Sequence, residues 1–489
     1  MRENVVIGLD LSTHGAKALA VSKTGNVVAL AEKGYHRIVG VDGSHIQPME
    51  EMADAVIESL RGLTEKLGTS IRIEGMSITH QRGTLIGADE YGNPVVPTVC
   101  DSDTRAWQQA KHIQDAYPRQ KLFNRTGCPP VPFNGLMKIL WWYQQNPQQA
   151  ALVRWWMSVQ DWAVWLLSGC FNSSPGSAMR MGVLNIHQPF EYEEQLLEEL
   201  HIPLETFLSL KPFGKEVGSV SSKMSDLTGL PPGLPIFPAP GDQPAAVLGT
   251  NATGLQAATI NLGTSFLLSF VLQRTEIQPG EIFSTLEILP ENYYALEYGE
   301  GAGTNILDWL RNNLLAINSI DALNKIAGDS KRGASGVVVV PHWWAIMDTN
   351  RCGIITGLRS HNTRGDVVRA TYEGLAYEVR ICWEKLAGIT GESPSSVAVC
   401  GGASQNDLFC SILASVVNKP VYRTACKEAS AFGAAITAAA GVGWNSSVFT
   451  AAEQMVHVET TIPPDLDDSK FYKDSFQNYL TYRVRSRKD

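Results

Sequence analysis

Two short polar turns, each following an apolar run, limit the folds open to this chain more than anything else in its sequence. The first is Ser12-Thr13-His14 after residues 7–11, and the second is Gly263-Thr264-Ser265 after residues 260–262, about 250 positions later. A second apolar run follows each turn, so both segments are predicted to form β-hairpins. Backbone N–H groups and small hydroxyls in such turns bind phosphate oxygens. Two of them indicate a polyphosphate held from two sides, as in a nucleotide-dependent enzyme.

The length of 489 residues is too great for one ordinary core and indicates two or three domains, with a boundary that we place near residue 250. A net charge of −9 disfavours a nucleic-acid or anionic-membrane partner. None of the apolar runs approaches a membrane-spanning length, and the eight cysteines form no C-x-x-C pair. The chain starts almost directly with a predicted strand, so we expect no signal peptide and a cytoplasmic protein.

Asp10 ends the first predicted strand, beside the first turn. A carboxylate there would repel a phosphate unless Mg²⁺ lay between them, since Mg²⁺ takes a few carboxylate oxygens and keeps several waters. The alternative is an aspartate that binds N–H groups of its own turn. The residues alone leave both interpretations open.

The segment Gly241-Asp242-Gln243 lies between a predicted strand and a predicted helix, where α/β folds present side chains to ligands. Asp242 is therefore a candidate base for a substrate hydroxyl, because an aspartate commonly accepts that proton in phosphoryl transfer. The alternative is an N-cap aspartate at the start of the helix.

Two polar clusters at loop positions are candidates for binding a polyol, which needs several fixed donors and acceptors. They are His80-Gln81-Arg82 and residues 101–105, which include Asp101, Asp103 and Arg105. His80 is expected to be structural, and a surface ion pair at a helix start is the alternative for Asp103 with Arg105.

Gly401-Gly402-Ala403 follows a predicted strand, and its missing side chains would let a flat ring approach the backbone. Gly301-Ala302-Gly303 is similar, but Thr304 occupies the place of the third glycine in a dinucleotide-binding fingerprint. The chain contains no G-x-x-x-x-G-K-[ST] phosphate loop.

Taken together, these segments resemble the FGGY carbohydrate kinase family. The most specific match is residues 353–358, a gap of seven residues, and then residues 366–373, which fit the family's C-terminal signature. Residues 133–142 nearly fit the N-terminal signature, with departures at Gly135 and Trp142. The resemblance covers about residues 5 to 440.

The resemblance implies an α/β fold of two ribonuclease-H-like domains, of the actin and hexokinase type, with the active site in the cleft between them. Residues 1–250 would bind the sugar and supply the base, and residues 251–489 would bind ATP. It assigns Asp242 as the catalytic base and Asp10, together with Asp242, to a Mg²⁺ site. The sugar-binding candidates are Gln81, Arg82, Asp101, Asp103, Asp242 and Gln243. The ATP-binding candidates are Ser12, Thr13, Gly263, Thr264, Gly301, Leu310, Gly401, Gly402, Ala403 and Asn406.

The function that follows is ATP- and Mg²⁺-dependent phosphorylation of a small sugar, with a pentulose as the expected substrate. Glycerol or another linear polyol is the alternative, because Gln81-Arg82-Gly83 resembles the Gln-Arg-Glu of glycerol kinases, with Gly83 in place of the glutamate. A non-catalytic, nucleotide-dependent sugar sensor is the alternative from another class. The expected partner is a small molecule, not a nucleic acid or a membrane, and a homodimer is left open.

Overall fold

The computed structural model describes residues 3–254, 257–273, 275, 285–299, 303–343 and 351–486. The chain forms two compact units, and each is built from three stretches. The first unit consists of Met1–Thr253, Leu272–Leu296 and Glu428–His457. The second consists of Gly254–Val271, Glu297–Lys427 and Val458–Asp489. The chain thus passes from the first unit to the second close to residue 250. Two later segments, Leu272–Leu296 and Glu428–His457, return to the first unit.

The first unit combines a central sheet with a smaller sheet and many helices. Its strands are Glu3–Leu11, Gly15–Ser22, Val27–Gly34, Ile38–Val39, His45–Gln47, Ile71–His80, Leu85–Ala88, Pro94–Val99, Trp155–Met157, Asn172–Ser173, Ser209–Leu210, Gly218–Ser219, Pro235–Pro238 and Thr285–Ile288. Its helices are Met49–Leu67, Trp107–Ala116, Arg119–Thr126, Gly135–Gln145, Pro147–Ala150, Val159–Ser168, Pro175–Met181, Glu194–Glu199, Ser222–Thr228, Asp242–Gly249, Ala429–Gly441 and Val448–Met455.

The central sheet of the first unit places three strand ends side by side. Its strand order is Gly218–Ser219, Pro235–Pro238, Ile71–His80, Glu3–Leu11, Gly15–Ser22 and Val27–Gly34. The third strand is parallel to both of its neighbours, so the carboxyl ends of the middle three strands lie at one edge. Asp10, His80 and the segment before Asp242 all come to this edge, which is where α/β sheets bind ligands.

Apolar residues at alternate positions of Glu3–Leu11 and at three- and four-residue spacing in Met49–Leu67 form the core on one face of this sheet. Val5, Ile7 and Leu9 are completely buried. On its other face the sheet packs against the helix Ala429–Gly441, which the chain supplies more than 400 residues later. Small side chains in this helix allow the close approach.

The second unit repeats this plan. Its strands are Ala257–Leu262, Phe266–Leu272, Val338–Val340, Ile354–Thr356, Ser396–Cys400, Val421–Thr424 and Val458–Ile462, and Tyr294–Tyr298 crosses the limit between the units. Its helices are Asn305–Trp309, Ile320–Gly328, Arg364–Thr390, Asp407–Val417 and Leu466–Arg485, with a π-helical turn at Leu310–Leu314 and a 3₁₀ turn at Gly402–Gln405.

Parallel strands again bring loops together in the second unit. Ser396–Cys400 is parallel to Ala257–Leu262 on one side and to Val421–Thr424 on the other. The loops after Leu262 and Cys400 therefore start at the same edge of the sheet. Both predicted hairpins are confirmed, with Leu11 opposite Ala16 in the first unit and Leu262 opposite Phe266 in the second. In the part of the chain that the structure describes, no helix is long and apolar enough to cross a membrane.

Candidate active site

The first turn is closed by its own hydroxyl. Ser12 donates from both its backbone N–H and its Oγ to the carbonyl of Gly15, each at 3.0 Å. The Thr13 carbonyl accepts a hydrogen bond from Gln47 Nε2 at 2.8 Å. Gln47 also accepts from Gln81 Nε2 at 2.7 Å, so this network links the turn to one of the predicted sugar-binding residues.

The carboxylate of Asp10 is the most perturbed acid of this edge. Its Oδ1 is buried, and no residue in the described ranges provides a hydrogen bond to it. Burial, followed by the negative charge of Asp242, raises the pKa of Asp10 to about 7, although Lys17 acts in the opposite direction. The interpretation in which Asp10 only binds its own turn leaves this oxygen without a role.

A bound Mg²⁺ fits this arrangement, because a cation would pair with the orphaned oxygen and reduce the repulsion between two carboxylates. Within the described ranges, no three His, Cys, Asp or Glu side chains lie close enough together to hold a metal on their own. Mg²⁺ commonly takes only one or two carboxylates and completes its shell with water and phosphate. Asp10 and Asp242 are the two side chains that would contribute.

Lys17 lies opposite Asp10 in the hairpin and was not singled out by the sequence pattern. It forms an ion pair with Glu428, which precedes the helix Ala429–Gly441, and lies 3.9 Å from Glu32. No local pattern indicates this contact, because Glu428 is more than 400 residues away along the chain.

Asp242 is the first residue of the helix Asp242–Gly249, and the N-cap position belongs to Gly241. The N-cap alternative for Asp242 is therefore wrong. Its Oδ1 accepts hydrogen bonds from Arg82 Nε and from the Gln243 N–H, both at 2.8 Å. The side chain remains 28% exposed. Gln243 is half-buried beside it.

Arg82 passes directly over Gly241 to reach Asp242. A Cβ at position 241 would lie 2.3 Å from Arg82 Cδ, so glycine is required for this approach. At its other end, Arg82 Nη1 forms an ion pair with Glu287 Oε1 at 2.5 Å, and both side chains are almost completely buried. Glu287 was not among the predicted site residues, because nothing near position 287 in the sequence points to Arg82.

His80 is buried and its Nδ1 has no hydrogen-bond partner within the described ranges. Burial lowers the pKa of His80 to about 4, which keeps the ring neutral at physiological pH. This environment fits the structural role expected for it.

Asp103 is buried and its two oxygens are fully occupied. Arg105 donates to them through Nε, Nη2 and its backbone N–H at 2.8–3.1 Å, and the His45 N–H donates at 3.0 Å. The structure thus forms the ion pair that was the alternative for this residue, although it is buried, not on the surface. Asp101 is half-buried and accepts a hydrogen bond from the Ser102 N–H at 2.7 Å.

Lys138, a completely buried lysine, joins the loops that carry these residues. Its Nζ donates to the carbonyls of Gly83 at 2.6 Å, Cys100 at 2.5 Å and Phe133 at 3.4 Å. Burial lowers its pKa to about 8. Because it connects positions 83 and 100 through backbone atoms only, its role was not evident from the sequence.

In the second unit, the turn at Gly263 and Thr264 is covered by a neighbouring segment. Thr304 donates to the Gly263 carbonyl through its backbone N–H at 3.0 Å and its Oγ1 at 2.9 Å. The side chain of Thr264 is exposed. Gly301 lies outside the described residues. Leu310 is completely buried, so its side chain presents no surface to a nucleotide.

Gly401 and Gly402 differ in what surrounds them. A Cβ at position 401 would lie 2.4 Å from Asn261 Oδ1, whereas a Cβ at position 402 would meet nothing within 4 Å. Open space for a flat ring therefore lies at Gly402 and not at Gly401. Ala403 is half-buried.

Asn406 has both ends of its side chain engaged. Its oxygen accepts from the Phe409 N–H at 3.1 Å and caps the helix Asp407–Val417. Its Nδ2 donates to Asn324 Oδ1 at 3.0 Å, and the Tyr372 hydroxyl donates to the same oxygen. Asn324 is a polar neighbour that the sequence pattern did not reveal.

Comparison with known proteins identifies the family. The N-terminal domain of the FGGY family of carbohydrate kinases matches residues 5–249, and its C-terminal domain matches residues 258–442. The chain belongs to this family. It is therefore a phosphotransferase that acts on a carbohydrate alcohol group, and kinases of the FGGY family take the phosphate from ATP.

Two curated relatives and one solved structure show the extent of the similarity. A xylulose kinase of Staphylococcus epidermidis is 24% identical over 485 residues, which cover 98% of this chain and 96% of that protein. A glycerol kinase of Koribacter versatilis is 27% identical over 463 residues, covering 91% of each. The crystal structure of Plasmodium falciparum glycerol kinase with ADP has a TM-score of 0.87 at 20% identity and covers 98% of both chains. The two-domain α/β fold expected for this FGGY kinase is confirmed.

Proposed function

We propose that this FGGY kinase transfers the terminal phosphate of ATP to a hydroxyl of a small neutral sugar, a pentulose, and that Asp242 is the base. The observation that carries the proposal is the state of Asp242. Its Oδ1 is held by Arg82 and the Gln243 N–H, and the side chain is 28% exposed, so the carboxylate is oriented and still open to a ligand.

The chemistry follows from this geometry. The sugar hydroxyl gives its proton to the Asp242 carboxylate, and its oxygen forms the new bond to the terminal phosphorus while the bond to ADP breaks. Mg²⁺, held through Asp10 and Asp242, would supply positive charge against the phosphate oxygens. Arg82 keeps the carboxylate in one orientation, which supports catalysis because the reacting groups must be aligned.

In the second unit we propose that Gly263 and the exposed hydroxyl of Thr264 bind the terminal phosphate. Gly402, with open space beside it, would receive the adenine ring. The ADP in the Plasmodium falciparum structure supports a nucleotide site in a fold of this kind. The assignments of Ser12, Thr13, Ala403 and Asn406 to the nucleotide remain predictions.

A pentulose is favoured over glycerol by the loop at Gly83. Gly83 has φ +74°, and a Cβ there would lie 2.4 Å from the Phe133 carbonyl oxygen. The backbone at this position is therefore closed to the glutamate of the glycerol-kinase Gln-Arg-Glu pattern. The Staphylococcus epidermidis relative is a xylulose kinase, which agrees with this choice. Glycerol remains the second candidate, because Arg82 is retained and the Koribacter versatilis relative is a glycerol kinase.

A coupled assay of ATP consumption over D-xylulose, D-ribulose, glycerol and related polyols tests the proposal, with each acceptor varied at saturating ATP and Mg²⁺. We expect a pentulose to give the highest kcat/KM, and ATP consumption without an acceptor to stay near background. A higher kcat/KM for glycerol than for every pentulose would instead identify glycerol as the preferred substrate. ATP consumption that no acceptor increases would contradict both.

A further inference from the structure

We propose that Glu287 is a positioning residue for the catalytic base and acts entirely through Arg82. This inference rests on the proposed role of Asp242. Glu287 lies on the strand Thr285–Ile288, which the chain contributes to the first unit about 45 residues after Asp242.

Arg82 is held at both ends of its guanidinium group. Nε donates to Asp242 Oδ1 at 2.8 Å, and Nη1 lies 2.5 Å from Glu287 Oε1. Because a guanidinium group is planar and rigid, fixing Nη1 also fixes the direction in which Nε points. The orientation of the Asp242 carboxylate therefore depends on Glu287.

A second arginine lies beside Glu287. Arg180 Nε is 3.7 Å from the same Oε1, an ion-pair distance without a hydrogen bond, and Arg180 Nη1 donates to Thr285 Oγ1 at 2.6 Å. The hydrogen bond to Thr285 attaches the strand that carries Glu287 to the helix Pro175–Met181.

The charges of this group are balanced. Two guanidinium groups, Arg82 and Arg180, are accompanied by two carboxylates, Glu287 and Asp242. Without the charge of Glu287, the nearly buried Arg82 would be drawn further towards Asp242, since buried charges require partners, and the carboxylate would move with it. A base displaced in this way is no longer aligned with the hydroxyl that it must deprotonate.

Glu287 does not contact the substrate in this scheme, because its side chain is only 1% exposed. Its removal should therefore lower kcat and leave nucleotide binding intact. A purely structural role would instead lower the amount of folded enzyme, and with it the rate per gram of protein, while kcat per folded enzyme stayed unchanged.

The test compares Glu287→Gln with the wild-type enzyme and with Glu193→Gln. Glu193 is a matched control, because it is a largely buried carboxylate of the same unit that pairs with Arg125 at 3.0 Å, away from Asp242. Per folded enzyme, Glu287→Gln should lower kcat about 10- to 100-fold, the usual cost of a misplaced reacting group, and leave the KM for ATP within about twofold. Glu193→Gln should leave kcat unchanged.

A second variant, Glu287→Asp, keeps the negative charge. Its kcat per folded enzyme should lie between the values for Glu287→Gln and the wild type, and it provides the measurement if Glu287→Gln does not fold.

A double-mutant cycle with Arg82→Met tests whether the effect passes through Arg82. Combining Arg82→Met with Glu287→Gln should lower kcat no further than Arg82→Met alone. Additive losses, or a wild-type kcat in Glu287→Gln, would overturn the inference.

Asp242→Asn is measured in parallel to separate the role of Glu287 from the role of the base. If Asp242→Asn is inactive while Glu287→Gln has normal turnover, only the role of Glu287 fails. Near-normal turnover by Asp242→Asn would instead remove Asp242 as the proposed base.

Discussion

At the scale of single residues, the clearest feature of this kinase is a carboxylate that folding buries in an unfavourable environment. Asp10 Oδ1 is buried without a hydrogen-bond partner in the described ranges, and burial raises its pKa to about 7. In the unfolded chain an aspartate titrates near 3.9. Between about pH 4 and pH 7 this carboxyl group is therefore protonated in the folded protein and ionised in the unfolded chain. Its burial consequently lowers the free energy of unfolding most at high pH, where the carboxylate is ionised in both states.

Asp10→Asn should consequently stabilise the protein, free of nucleotide and metal, by about 2 kcal/mol at pH 8, with the gain vanishing near pH 4. Thermal unfolding across this pH range measures the effect. Mg²⁺ should raise the melting temperature of the wild type at pH 8 and not that of Asp10→Asn. A variant less stable than the wild type at pH 8, or an equal response to Mg²⁺, would contradict the assignment of Asp10 to the metal.

Gly83 gives a second prediction, based on backbone geometry. Gly83→Ala should lower the free energy of unfolding by about 2–4 kcal/mol, because the new Cβ would meet the Phe133 carbonyl in addition to the cost of a positive φ. Gly233→Ala is the matched control: its φ is also +74°, but a Cβ there would meet nothing within 4 Å. It should cost only about 1–2 kcal/mol. Urea denaturation measures the free energy of unfolding of both variants. Equal losses of this free energy in Gly83→Ala and Gly233→Ala would show that the contact with Phe133 is unimportant.

At the scale of secondary-structure elements, the long helix Arg364–Thr390 begins with a reciprocal cap. The Thr363 hydroxyl accepts from the Asp366 N–H, and Asp366 accepts from the Thr363 N–H at 2.7 Å. Burial works to raise the pKa of Asp366, but hydrogen bonds from Ser330, Thr363 and Ser335 outweigh it and lower the pKa to about 2. The signature residue Asp366 thus fixes the start of the helix and two neighbouring loops.

Asp366→Asn should lower the free energy of unfolding by about 1–2 kcal/mol at pH 7, the usual cost of losing such a cap. Since the folded pKa lies below the unfolded one, the difference from the wild type should persist above pH 4 and shrink as the pH falls from 4 towards 2. Asp407→Asn is the control, because its carboxylate is 78% exposed and pairs with Arg423 at the surface. A loss no larger than that of the control would mean that the cap contributes little.

The elements themselves were largely predictable from the sequence, since strand and helix periodicities and turn residues are local signals. Both predicted hairpins and the helix predicted after Gly241 form where their patterns indicate. Contacts between distant segments were not predictable. Glu287, Arg180, Lys138 and Glu428 come from separate parts of the chain, and each contacts groups that are distant in the sequence and that no local pattern specifies.

At the scale of the whole molecule, the sequence indicated two domains but not their composition. Nothing in the sequence of the helix Ala429–Gly441 indicates which sheet it covers, and the structure places it against the central sheet of the first unit. The division of sugar binding and ATP binding between residues 1–250 and 251–489 remains a prediction.

A chain of residues 1–253 alone should therefore fail to fold cooperatively. It would lack this helix and the strand with Glu287, and it would expose apolar residues of the central sheet to water. Thermal unfolding followed by circular dichroism, beside the intact chain, measures this. A sharp transition at the temperature of the intact protein would show that the returning segments are dispensable.

The proposed phosphoryl transfer depends on Asp242 as the group that accepts the proton of the sugar hydroxyl. The most direct measurement is the turnover of Asp242→Asn with its best acceptor, together with its affinity for a non-hydrolysable ATP analogue, beside the exposed control Asp226→Asn in the same unit. Asp242→Asn should lose a factor of about 10³ or more in kcat and bind the analogue within about twofold of the wild type, whereas Asp226→Asn should be unaffected. Turnover by Asp242→Asn close to that of Asp226→Asn would show that Asp242 is not the base.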